Sequence, residues 1–280
     1  MVVDPEKDPA NKYMNQELFS LPAMEIKKTI KSPLTTEFIF EHLENGLATT
    51  LGNTFRRLLL TQVPGWAIFA VKISDKENTI ATEFEKLKGV VEIPLYLVFN
   101  LKKLVFQSPQ KKLSLQGQDS DSPICTLQIN IDNSQKKENY VVTGKDIKGD
   151  LKVVNPEVYL ATAEAGSQLK IDLHCRYHWG SSIAREQKSL LPEKKNIIFL
   201  PSDYCPVKTV SWQVKPVIDN LVKQRERLKL TITTNGSISP QDSLLIIINF
   251  IEQSLISIRK LISSEPLKAK IKKEKVVEEE

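Results

Sequence analysis

Cysteine is scarce in this chain: Cys125, Cys175 and Cys205 stand far apart, are odd in number and show no C-x-x-C spacing. They build neither a disulfide framework nor a zinc ribbon, and they read as thiols of a reducing compartment. Glycine is sparse as well, 10 among 280 residues. None of it forms a G-x-x-x-x-G-K-[ST] phosphate cradle or a G-x-S-x-G nucleophile elbow. Asp119-Ser120-Asp121 lacks the third carboxylate and the glycine of a magnesium loop, so it reads as a solvated turn. The only metal-like cluster is His174-Cys175-x-x-His178. In an extended segment its histidines fall on one face and its cysteine on the other, so no metal ligand is assigned; a core cysteine and strand-edge histidines are expected. No apolar run approaches the about 20 residues of a membrane span. The first residues, with Asp4, Glu6 and Asp8, resemble neither a signal peptide nor an Arg-rich transit peptide. The expected protein works where it is made, or in an organelle that encodes it.

Charge is nearly balanced. The excess is +5, much of it supplied between Lys268 and Lys275. With no Arg-rich reading helix and no interleaving of aromatic and basic residues, direct sequence-specific DNA binding has no support. A hydrophobic content of 41% and a charged content of 26% are those of an ordinary globular chain, long enough for one large or two modest domains.

The most informative stretch runs from Phe40 to Leu60, where a turn at Glu44-Asn45-Gly46 opens into a two-sided helix. At about 100° per residue, Leu47, Leu51, Phe55, Leu58 and Leu59 share an apolar face, while Thr50, Asn53 and Arg57 line the opposite one. Gly52 in mid-helix costs about 1 kcal/mol against alanine, so a close neighbour, most simply another backbone, is expected there.

Residues 1–24 are polar and aperiodic and read as a mobile lead-in. A strand runs from Met24 to Phe40, and the helix that follows ends near Gln62, before Pro64-Gly65. From Trp66 to Ile73 the residues alternate, with Trp66, Ile68, Ala70 and Lys72 on one face and Ala67, Phe69, Val71 and Ile73 on the other. Short strands separated by polar turns follow: Leu104 to Phe106, Ile124 to Ile131, Leu151 to Val154 and Leu169 to Tyr177. Val207 to Val214 and Leu228 to Thr234 read as longer strands. After Asn235-Gly236, Ser239 offers an N-cap and Pro240 the first position of a helix. Leu244, Ile247, Ile248, Ile251, Leu255, Ile258 and Ile262 form its stripe, with Leu245, Ile246, Phe250, Ile256 and Leu261 beside it. That breadth of apolar surface predicts burial on more than one side.

Four blocks of this chain resemble, in order, those of the alpha subunit of bacterial-type multisubunit DNA-directed RNA polymerase. The first is Glu41 to Leu60, of the form E-x-L-E-x-G-x-x-x-T-L-G-N-x-x-R-R-L-L-L. The second is Gly89-Val90-Val91-Glu92 leading to Asn100-Leu101-Lys102. The third joins Val142 to Ile147 with Val154-Asn155-Pro156-Glu157, and the fourth is Thr233 to Pro240.

The resemblance implies an α+β fold in which a helix-and-sheet dimerisation domain (25–64 and 205–262) carries an inserted sheet-rich domain (65–204). It implies a homodimer paired through Leu51, Gly52, Phe55, Leu59, Leu244, Ile248, Ile251 and Leu255. It also implies a non-catalytic role in assembling the β-type and β′-type subunits, through Arg57 above all, with Gly46, Thr50, Asn53, Arg56, Val91 and Glu92. DNA is then met through the complex, magnesium sits in the largest subunit, and this chain holds no cofactor and meets no membrane. Three departures stand out. Pro94 either starts or kinks the expected helix after Gly89. The family's G-R-G-Y-like element reads Arg176-Tyr177-His178-Trp179-Gly180, which puts any large-subunit contact there in doubt. Only 263–280 follows the last helix, a mixed Lys and Glu tail expected to be disordered and to leave upstream DNA untouched. Ile-, Lys- and Asn-heavy usage points to an AT-rich genome and a plastid stroma or nucleoid, with a bacterial cytoplasm as the alternative. Two other readings stand: a heterodimerising assembly subunit of an archaeal or nuclear-type polymerase, and a stand-alone enzyme.

Overall fold

The computed structural model describes residues 25–107, 122–192, 195–218 and 224–263. The lead-in at 1–24, the turn at Asp119 to Asp121 and the tail beyond 263 lie outside the described residues. The elements in chain order are β1 (Glu25–Ser32), β2 (Thr35–Leu43), α1 (Leu47–Thr61), β3 (Gly65–Asp75), α2 (Pro94–Leu101), β4 (Phe106–Gln107), β5 (Ile124–Asp132), β6 (Tyr140–Thr143), β7 (Ile147–Lys148), β8 (Lys152–Val153), β9 (Tyr159–Ala163), β10 (Gln168–His178), β11 (Ser181–Ser182), α3 (Ala184–Gln187), β12 (Ile198–Phe199), β13 (Ser202–Asp203), β14 (Val207–Ile218), β15 (Gln224–Thr234) and α4 (Pro240–Ser263). Among the described residues no helix is long and apolar enough to cross a membrane.

The first strand of the sequence reading divides in two. Pro33 and Leu34 turn the chain, and β1 pairs back on β2 antiparallel, because proline cannot donate to a ladder and sits at the bend instead. With β15 and β14 these strands form an antiparallel sheet in the order β1-β2-β15-β14. Phe38, Phe40, Leu228, Leu230, Ile232 and Val210 point to one face, where α1 and the start of α4 cover them. The opposite face is polar. There Glu37 is gripped by Lys31 at 2.6 Å and Lys229 at 2.9 Å, and Glu41 by Arg227 at 2.6 Å. Such one-sided burial is the usual economy of antiparallel sheets.

Between α1 and β14 the chain makes a second, larger sheet-rich unit with its own core. Its sheet runs β7-β5-β10-β3-β4-β8, with β12 also paired to β3. The two cores are separate in sequence: one gathers residues 38–63 and 205–251, the other 66–200. The fold is therefore α+β, with a sheet-rich unit inserted into a helix-and-sheet unit.

Strict alternation fails in β3. Pairing with β10 runs His174 to Ala70 and then Cys175 to Ile68, so Phe69 is an extra residue in the ladder. A bulge of one residue exchanges the faces on its two sides. Ile68 thus joins Val71 and Ile73 in one core, rather than Ala70 and Lys72. Pro94 starts the helix after Gly89 rather than kinking it. It stands at the first position of α2, with Ile93 before it extended, as the residue ahead of a proline prefers.

Gly52 meets a side chain rather than a backbone. A Cβ placed there would lie 2.8 Å from the Trp212 ring and 3.1 Å from Leu228 Cδ1. A rigid indole cannot yield as a lysine tip would. We expect Gly52→Ala to lower stability by about 1–3 kcal/mol through overpacking, outweighing the about 1 kcal/mol that alanine gains in a helix. A thermal midpoint equal to or above that of the wild type would show that the α1 to β14 contact has room.

Candidate protein-interaction surfaces

The turn into α1 is built for a sharp reversal. Gly46 caps the helix at φ 84°, a left-handed conformation with open space around it, so the backbone angle is what requires glycine. Arg225 ties the turn down by donating to the His42 carbonyl at 3.1 Å and pairing with Glu44 at 3.3 Å. Glu226 accepts from the Ala48 amide at 3.2 Å, a carboxylate at a helix N-terminus. The Arg225 and Glu226 ties were not visible in the sequence, because the partners are about 180 residues apart along the chain.

Thr50, Asn53, Arg56 and Arg57 are all exposed on α1, with Arg56 on the flank nearer β14. They are not equivalent. The Arg56 guanidinium donates to the Val210 carbonyl and so fastens the helix to β14, whereas no bond from the Arg57 side chain occurs among the described residues. Thr50 turns its hydroxyl back to the Gly46 carbonyl at 3.1 Å. Among the described residues, Arg57 is therefore the free cation of this face.

The eight residues expected at a dimer interface divide by burial. Gly52, Phe55, Leu59 and Leu244 are buried against the protomer's own sheet and offer a partner no surface. Leu51 and Ile251 are half-buried, and Ile248 and Leu255 are exposed. The stripe on α4 thus has two fates. Leu244 and Ile247 enter the core, while Leu255 (60% exposed), Ile258 and Ile262 (79%) project with no cover among the described residues. Leu245, Phe250 and Ile256, set beside the stripe in the sequence reading, extend the bare surface, and Ile26 and Ile30 of β1 are bare as well. So large an apolar exposure marks a contact site.

Val91 and Glu92 also part company. Glu92 is occupied internally, accepting from the Tyr159 hydroxyl and from the Thr162 amide at 2.7 Å, while the Val91 side chain stays exposed. Burial and then this hydrogen bond raise the Tyr159 phenol above its ordinary value. We expect Glu92→Ala to cost about 1–2 kcal/mol of stability by stranding those donors, measurable by denaturant titration. An unchanged midpoint would show that Glu92 does not hold β9 in place.

His174, Cys175 and His178 do not converge. Cys175 lies in the core, His178 is buried with its ring tilted against that of Trp179 at 4.4 Å between centroids, and His174 contacts Thr126 at 3.1 Å. The histidines are not at a strand edge as expected, because β10 runs between β5 and β3. Desolvation lowers the His174 pKa from its ordinary value. No group of three metal-ligating side chains is found among the described residues.

The model of the RNA polymerase Rpb3/Rpb11 dimerisation domain matches residues 41–253. The chain belongs to that family. The match begins within β2 and ends within α4, so it takes in α1, the inserted unit and the first part of α4. Among family members, the chain is similar to the DNA-directed RNA polymerase subunit alpha of Leuconostoc mesenteroides, 34% identical over 211 residues, covering 74% of this chain and 61% of that protein. It is similar also to the subunit alpha of Macrococcus caseolyticus (33% over 211 residues; 74% and 60%) and of Malacoplasma penetrans (30% over 208 residues; 74% and 60%). The matched segment spans about three-fifths of the length of these relatives.

Proposed function

We propose that this chain is the alpha-type assembly subunit of a DNA-directed RNA polymerase, pairing with a second copy of itself and presenting the outer face of α1 to a large subunit. The observation that carries the pairing is the uncovered apolar half of α4. The name of the matched family and those of the relatives support the same reading. In it, residues 25–64 and 205–262 form the dimerisation domain and 65–204 the inserted one. An isologous contact would bury each exposed residue of α4 twice. Leu51, Ile248, Ile251 and Leu255 are the interface residues of the sequence reading that retain surface for this purpose.

One protomer takes the β-type subunit and the other the β′-type. Arg57 is the central contact, with Gly46, Thr50 and Asn53 on the same element and Val91 on the inserted unit as further contacts. A guanidinium offers a planar fork of donors to carboxylates or carbonyls, and among the described residues it is not otherwise engaged. Arg56 and Glu92 serve the contact indirectly, by holding α1 and β9 in place. The chain is non-catalytic in this reading: nucleotidyl transfer and its magnesium belong to the largest subunit, and DNA is reached through the complex. The compartment is one that houses a bacterial-type polymerase, a plastid on the grounds of composition or a bacterial cytoplasm on the grounds of the relatives.

Purification of the native complex by a tag on this chain tests the proposal. Co-elution of two large subunits with two copies of the chain is expected. Recovery of the chain with a different small subunit in equal amount would favour the heterodimerising alternative, and recovery of the chain alone would overturn the assembly role.

A further inference from the structure

Two of the three cysteines, fifty residues apart in the sequence, are direct cross-strand neighbours: Cys125 of β5 stands opposite Cys175 of β10. Both belong to the same core face of the inserted unit, Cys175 fully buried and Cys125 half-buried beside it. The Tyr177 amide donates to the Pro123 carbonyl at 3.0 Å, which makes that pair, and two residues along the Cys175 and Cys125 pair, hydrogen-bonded positions of the ladder. Opposed Cα atoms at such positions lie about 5.5 Å apart, inside the range that a disulfide spans. Their Cβ atoms stand about 4.5–5.5 Å apart, so closing a bond needs an approach of about 1 Å. The ladder has slack at this point, because the Phe69 bulge interrupts the pairing of β10 with β3 between His174 and Cys175.

We propose that Cys125 and Cys175 form a reversible thiol–disulfide pair, oxidised by exchange with a small-molecule disulfide. Exposure sets the order of events. Cys125 can be reached from solvent and Cys175 cannot, so the Cys125 thiolate attacks the incoming disulfide, forms a mixed disulfide and releases one thiol. The Cys175 thiolate then attacks the Cys125 sulfur and expels the second. Two protein thiols lose their protons to the two released thiols, and the external disulfide is reduced as the internal one forms. Burial pushes both thiols up, so exchange is slow near neutrality and a strained product is readily reduced. Cys205 takes no part: it is buried in the other core, and its Sγ donates to the Leu59 carbonyl at 3.3 Å.

The test treats the full chain with glutathione disulfide in mildly alkaline buffer, counts free thiols under denaturing conditions and maps the linked peptides. The expected result is loss of two of the three thiols, a Cys125 to Cys175 linkage, and full recovery with dithiothreitol while the circular dichroism spectrum is retained. Cys175→Ser should stop at a glutathione adduct on Cys125, and Cys125→Ser should leave Cys175 unmodified. Three free thiols after prolonged treatment, a lasting glutathione adduct on wild-type Cys125, or a linkage that involves Cys205 or a second chain would overturn the proposal.

Discussion

Replacing Leu255 and Ile258 together by aspartate should convert the paired chain into folded monomers. Both side chains are exposed in the protomer, so the substitutions disturb no core contact. In the pair each carboxylate would enter an apolar contact from both sides. Removing an unpaired charge from water costs several kcal/mol even after relaxation, and here the cost arises four times. Association weakened at least a thousandfold is expected, since each about 1.4 kcal/mol is a factor of ten. Sedimentation velocity reads the mass and circular dichroism reads the fold. A persisting dimer would place the interface elsewhere, and unfolding would mean that the projecting half of α4 is packed after all. Ile251→Asp is a poorer test, because Ile251 is half-buried against the protomer core and its loss confuses folding with pairing.

Arg57→Ala should leave the dimer intact and weaken capture of the β-type subunit. Truncating a central interface arginine commonly costs about 2 kcal/mol or more, roughly thirtyfold in affinity. Arg56→Ala is the internal contrast. Its guanidinium is bonded to the Val210 carbonyl, so its loss should appear as a lower thermal midpoint by about 1 kcal/mol of stability. Pull-down of the β-type subunit against a dilution series, paired with thermal melts, separates the two. If Arg57→Ala captures the large subunit as well as the wild type does, the outer face of α1 is not the docking surface.

Local chemistry made some elements legible in advance. The α1 helix could be read because its apolar spacing is long and its start is marked by Gly46. The α4 start could be read because Ser239 and Pro240 supply a cap, and the Asp242 amide does donate to Ser239 Oγ at 3.0 Å. Pairs with no local marker escaped. The β6 and β9 ribbon is one such case, since its strands are short and find each other only across the insert. The Phe69 bulge is another, for the extra residue exists only relative to β10. The candidate site was legible as a face but not as individual roles. Spacing puts Arg57 with Thr50 and Asn53 opposite the apolar face and Arg56 about 100° away on the flank, but the bond that engages Arg56 depends on where the Val210 carbonyl lies.

What the sequence by itself determined was the two-sided character of α1, the breadth of apolar surface on α4 and the order of four blocks that tie the chain to its family. These are properties of residue type and period, which a helix or strand expresses wherever it sits. The tertiary structure alone decided which apolar residues are core and which are bare. It buries Leu59 and Leu244 and leaves Leu255 and Ile262 exposed, because the four-stranded sheet is only wide enough to cover α1 and the first turns of α4. It also turned two isolated cysteines into neighbours. Register between distant strands is set by how the whole sheet closes, and nothing within either strand encodes it.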